Sequence, residues 1–142
     1  MEQTVSQIAL VEQIDAAIAA HQQWKRKLYN AINAGHSEIS SATACSHDRC
    51  TFGQWLASID ALGTLRDEAA FAEIADLHGE FHRVAGSILA YVERGMASAA
   101  QFIMDGEYAA LSDMLIEALN GWKADAIRQP ACAPSATRRF AI

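Results

Sequence analysis

The sequence predicts an all-α fold, an antiparallel four-helix bundle with one short helix. Three observations carry this. Apolar residues recur at alternating three- and four-residue intervals over long segments, the period of a helix with one buried face. Turn-forming residues are scarce, with 2 Pro and 8 Gly in 142 residues, whereas a β-sandwich or barrel needs a turn signal every ~8–12 residues. Hydrophobic residues make up 51% and charged residues 20%, which is enough to bury a core and too apolar for a disordered chain. There are no internal repeats, low-complexity tracts or β-rich segments.

The first helix is expected over about Glu2 to Ala34. Val11, Ile14, Ile18, His21, Leu28 and Ile32 share one face, with Lys25 at the skipped position, and Gly35 stands where a C-cap glycine belongs. From His36 to Arg49 the chain is rich in Ser, Thr, His and Cys without a period, and reads as a loop. Asp48 could N-cap a short helix over about Cys50 to Ile59, and Gly63 and its neighbours form the next connection. A third helix starts near Asp67, with Phe71, Ile74, His78, Phe81, Ala85, Ile88 and Val92 on its face, and ends at Gly95. The fourth, about Ala97 to Arg128, aligns Met104, Tyr108, Leu111, Leu115, Ala118 and Trp122, with Gly106 weakening its first turns. Residues 1–128 thus form one domain. Residues 129–142, with both prolines, Cys132 and Arg138-Arg139, read as a flexible tail.

The formal charge of −6 disfavours nonspecific binding to nucleic acid or anionic lipid. No apolar run reaches the ~18 residues of a membrane span, and no signal peptide is visible after Met1. The expected location is cytoplasmic, without membrane insertion. Three cysteines are an odd number, which favours metal binding or redox chemistry over a disulfide framework.

Histidines interrupt two of the apolar seams. His21 is in register with Ile14 and Leu28, His78 with Phe71 and Phe81, and His82 follows His78 by one turn. A lone seam histidine is more often a core residue bonded to a carbonyl. Three buried imidazoles without a shared partner would leave several groups unsatisfied, and one metal ion satisfies all three. Zinc takes four ligands, so a fourth is needed. Cys50 and Cys45 are the candidates, with His36 and His47 behind them. Cys50 is favoured because the start of the short helix stabilises a thiolate. Phe52, Trp55 and Leu56 would anchor that helix, and Phe52, Trp24 and Trp55 are read as core.

Three fragments, His21-Gln22-Gln23-Trp24-Lys25, Cys50-Thr51-Phe52-Gly53-Gln54-Trp55-Leu56 and His78-Gly79-Glu80-Phe81-His82, resemble the signature of the chemoreceptor zinc-binding (CZB) domain, over about Val5 to Trp122. The resemblance implies a four-helix bundle holding zinc through His21, Cys50, His78 and His82. It implies a zinc sensor, and in some receptors a sensor of hypochlorous acid through the zinc-bound cysteine, which makes Cys50 redox-sensitive. It further implies a bacterial signalling or chemotaxis setting, a homodimer and a signalling partner. Apolar residues outside the seams, Leu10, Leu89, Ile103 and Ile116, are expected to supply the dimer surface. The sequence contains no receptor signalling hairpin and no cyclase domain, so those outputs are not expected of it. Cys45 lies outside the signature and reads as a bystander, ahead of a substitute ligand or a resolving thiol.

Four protein ligands close a zinc site, whereas catalysis needs an open position, so an enzyme is not expected. Glu80 lies between His78 and His82 but points away from their face. Three rival readings are weaker. The run His82-Arg83-Val84-Ala85-Gly86-Ser87 faintly resembles a histidine phosphotransfer motif, with Ala85 in place of its lysine. A di-iron bundle would need two Glu-x-x-His pairs, which are missing. A bundle serving only dimerisation leaves the seam histidines unexplained.

Overall fold

The computed structural model of the protein describes residues 2–62 and 69–128. It is all-helical, with no strand among the described residues. Helix α1 spans Glu2–Ala34, α2 Ser41–Ala44, α3 Thr51–Leu62, α4 Ala69–Glu93, α5 Ala97–Ile103 and α6 Ala109–Arg128. A 3₁₀ turn, His47–Arg49, precedes α3, and a π-helical turn, Met104–Tyr108, joins α5 to α6. The segment expected as a tail, with Cys132, and the connection around Gly63 lie outside the described residues.

The long seams fold as their periods dictate. On α4 every one of Phe71, Ile74, His78, Phe81, Ala85, Ile88 and Val92 is buried. On α1 the buried face holds Ile14, His21, Leu28 and Ile32, with Val11 and Ile18 half-buried. Each fully buried Leu or Ile adds ~1.5–3 kcal/mol of burial energy, so these faces hold the helices together. Helix α1 packs on α6 and α4, and α4 packs on α2, α5 and α6. An ion pair from Lys123 on α6 to Asp15 on α1, at 2.7 Å, ties the late turns of α6 to the middle of α1. Lys25, the skipped position of the α1 seam, is exposed and lines an open groove against Ser112 and Asp113 of α6.

Both predicted helix stops are real. Gly35 and Gly95 have φ of +80° and +74°, the left-handed conformation that costs glycine nothing. At the end of α4 the Met96 N–H donates to Tyr91 O at 2.8 Å and the Gly95 N–H to Val92 O at 3.0 Å, a Schellman pair.

Three expectations are corrected. The stretch from His36 to Arg49 is not all loop. Ser40 caps the single turn of α2, accepting from the Thr43 N–H, and Glu93 at the end of α4 accepts from both the N–H and the hydroxyl of Ser41 at 2.8 Å. A four-residue turn is too short to show a period, so it was invisible to pattern reading. Asp48 does not cap the short helix, because it lies inside the 3₁₀ turn. Cys50 takes the capping position instead, extended at φ −82° and ψ 141°, with its carbonyl accepting from the Gln54 N–H at 3.0 Å. Leu89 is core, not surface, at 1% exposure, because α5 and α6 cover a second side of α4. Leu10 and Ile103 are partly buried against the same core.

Gly106 sits in the π turn. The buried residues Ala100, Met104 and Tyr108 are each four apart, a spacing that drifts off one face of a regular helix. The wider i→i+5 winding absorbs the drift and returns α6 to register at Leu115, Leu119 and Trp122.

Candidate metal centre

Three elements converge on one point near the middle of the fold. Helix α1 supplies His21, α4 supplies His78 and His82, and the capping residue of α3 supplies Cys50. Their donor atoms all lie within 4.8 Å of one another. A tetrahedral zinc with bonds of ~2.0–2.3 Å sets its donors roughly 3.3–3.7 Å apart, an adjustment within the reach of side-chain torsions. The three histidines are 0–2% exposed, and Cys50 is half-buried. The chain thus brings together the four residues that the sequence singled out. Cys45 is not among them: it is exposed, and its Sγ donates to Ala42 O at 3.3 Å. His36 is exposed beyond the end of α1.

The rings are aimed by backbone carbonyls. His21 Nδ1–H donates to Ala17 O at 2.7 Å, one turn back on its own helix. His82 Nδ1–H donates to Ala44 O at 2.9 Å, from the last residue of α2. Because Nδ1 carries the proton in each ring, Nε2 presents its lone pair to the cluster, which is the tautomer a metal requires. The His82 bond spans 38 positions of sequence and was not legible beforehand. The His21 bond could have been anticipated, since its partner lies at i−4.

Desolvation by burial is the main cause that lowers the pKa of all three rings. It brings His21 to about 4, partly offset by its bond to Ala17. It brings His78 to about 2, helped by repulsion from His21, His82 and His47, and it lowers His82 against the effect of its bond to Ala44. At neutral pH the cluster is therefore three uncharged imidazoles.

A metal ion suits what these residues leave unsettled. His21 Nε2 is fully buried with no hydrogen-bond partner, a costly arrangement in an apolar core. His78 Nε2 and His82 Nε2 face each other at 3.1 Å. Since His82 Nε2 has only its lone pair, the pair holds without metal only if His78 Nε2 keeps a proton and donates it. Three nitrogens and one sulfur around a point without carboxylates match the preferences of zinc.

Aromatic rings enclose the site. Phe81 lies 4.9 Å from the His21 ring, Phe52 5.2 Å from His78, and Trp24 5.8 Å from His82. Phe52 stacks on Trp55, which in turn meets Trp122 of α6, so these rings anchor α3 on α6. Gly53 is there for space: a Cβ would overlap the His47 carbonyl and come within 3.1 Å of His78 Cε1. Gly86 serves α2 likewise, since a Cβ there would meet Cys45 Cβ at 2.5 Å. Glu80 faces solvent and pairs with Arg83, which also reaches Glu107 of the π turn at 3.1 Å.

The fold and this donor set define a helical domain with a three-histidine, one-cysteine cluster able to hold a metal. Residues 21–89 match the family model described as the chemoreceptor zinc-binding domain. The match begins at His21 and takes in all four converging residues. No curated protein and no solved structure gives a significant match. No described helix is long and apolar enough to cross a membrane.

Proposed function

We propose that this protein is a zinc-binding sensory domain that holds one Zn²⁺ through His21, Cys50, His78 and His82 on an antiparallel four-helix bundle. The observation that carries this reading is the convergence of four donor atoms within 4.8 Å, from three separate elements, in a pocket that keeps the imidazoles neutral. Four protein donors leave zinc no open position, which favours sensing over catalysis. Zinc, when bound, supplies positive charge that holds the Cys50 thiolate. With three neutral imidazoles the loaded centre carries a net charge of +1.

Cys50 is the one redox-active member of the set. Oxidation of its sulfur by hypochlorous acid, through the sulfenate, weakens the fourth ligand and frees the start of α3 from α1 and α4. The half-buried sulfur and the flanking Phe52 and Trp55 restrict attack to small oxidants. The signal then passes to a partner protein in bacterial chemotaxis or related cytoplasmic signalling, with the chain acting as a homodimer. A histidine phosphotransfer role fits poorly, because His82 is 2% exposed and its Nδ1 is bonded to Ala44.

Metal analysis of protein purified without added zinc tests the proposal, together with X-ray absorption. About one zinc per chain with three nitrogens and one sulfur is expected. An all-oxygen shell, or no zinc, overturns it. Hypochlorite titration followed by mass spectrometry tests the redox half: Cys50 is expected to oxidise before Cys45, and zinc to be released as oxidation proceeds.

A further inference from the structure

The proposed zinc site, on which this inference rests, is hard to reach. His21, His78 and His82 are almost wholly buried, and Phe52, Phe81 and Trp24 cover them. An ion moving into or out of a closed four-donor site exchanges ligands one at a time, and zinc accepts a fifth ligand in passing. Exchange is therefore fastest where a further donor stands near the least buried of the four ligands, the half-buried Cys50.

His47 stands there. It precedes Cys50 by three residues on the same 3₁₀ turn and is exposed. Its ring lies edge-on to the buried His78 ring, 6.1 Å between centroids. Its main chain is tied to the site, since the His47 carbonyl accepts the Cys50 N–H at 3.4 Å and abuts Gly53. The backbone thus ties this exposed residue to Cys50, and its ring reaches the edge of the buried His78. Its nitrogens are not among the converging donors. Among the described residues no other exposed histidine or cysteine is in ring contact with the buried histidines.

We propose that His47 is the exchange ligand of the metal centre, a surface imidazole that takes zinc on its way in and receives it on its way out. Its ring nitrogen forms a bond to aqueous Zn²⁺ as a zinc–water bond breaks. That bond is given up as the Cys50 sulfur and the buried nitrogens bind, and the Cys50 thiol proton leaves to solvent. In the resting site His47 holds no zinc. A contact made only along the path changes both rates and leaves the equilibrium unchanged.

The test uses the full chain. Zinc loading from aqueous Zn²⁺, and zinc release to 4-(2-pyridylazo)resorcinol, are timed by stopped flow for wild type, His47→Ala, His47→Gln and His36→Ala. Both His47 variants should slow loading and release by about tenfold each, with Kd unchanged and the circular dichroism spectrum intact. His36→Ala should match wild type. Free imidazole should restore the rates of His47→Ala, which a merely structural role would not allow. Unchanged rates in the His47 variants, or a weaker Kd with faster release, overturn the inference and leave the zinc site standing. A wild-type chain that binds no zinc overturns both this and the proposed function.

Discussion

Two stretches of α4 invite comparison. Around Ile88 and Val92 the seam is aliphatic, and each side chain is buried without any polar group to satisfy. Two turns earlier the same seam carries His78 and His82, equally buried, facing a third buried imidazole from α1. The helix is continuous through both, so helix formation does not distinguish them. What differs is what burial costs. The aliphatic stretch gains from leaving water. The histidine stretch gives up hydration of its nitrogens and leaves His21 Nε2 without a partner. One part of the core holds the fold, and the other brings together donors able to hold a metal.

The largest contrast is expected in zinc affinity. His78→Ala or His21→Ala should weaken it by more than the ~10–100-fold that loss of an outer-shell partner costs, as measured by competition with a chelator. Ile88→Ala should leave affinity nearly unchanged. In stability the order reverses. Ile88→Ala opens a cavity and should cost ~2–5 kcal/mol in urea unfolding with zinc present or absent. If His78→Ala proves as damaging to the zinc-free protein as Ile88→Ala, the two stretches do the same job and the comparison fails.

Acid sharpens the contrast in the metal-free protein. The folded histidines lie at about 4 for His21 and about 2 for His78, below their ordinary 6.5. As the pH drops, the unfolded chain binds protons first. The stability these groups contribute is therefore complete above 6.5 and is lost as the pH falls from 6.5 toward 4 and below. Each ring changes stability by at most ~1.4 kcal/mol per pH unit. Urea midpoints taken with chelator at about pH 7 and about pH 5.5 should fall with acid. The double variant His21→Leu/His78→Leu should fall less. A pH-independent midpoint in the wild-type chain would mean that the three rings are not desolvated as described.

The smallest effect is expected outside both stretches. Arg83 bridges Glu80 and Glu107, but all three are more than half exposed, so water and salt screen the pairs. Arg83→Ala should cost less than about 1 kcal/mol in thermal or urea unfolding and should not alter zinc affinity. A larger loss would mean that the link from α4 to the π turn supports the metal centre.

Much of this was legible in the residues. The seam of α4 is buried at every position its period names, because a strict three-four spacing leaves an amphipathic helix one way to face the core. The histidines were conspicuous for the same reason: a polar ring on an apolar stripe needs a partner. Cys50 was harder. Its choice over Cys45 depends on which thiol the 3₁₀ turn directs inward, and that turn has no sequence period. Leu89 reads as surface in the sequence and is core in the fold, because one helix face cannot reveal how many neighbours the helix has.

The sequence by itself determined where the long helices run, where Gly35 and Gly95 stop two of them, and which side chains could serve as ligands. These are properties of residues three, four or seven apart, carried by backbone geometry within one element. Only the tertiary structure decided that Cys50 caps α3, that the carbonyl of Ala44 sets the tautomer of His82, that a π turn restores the register of α6, and that His47 stands beside His78. Each of these depends on how separate elements pack together. That packing follows from filling a core without voids, a condition on the whole chain that no local stretch of sequence carries alone.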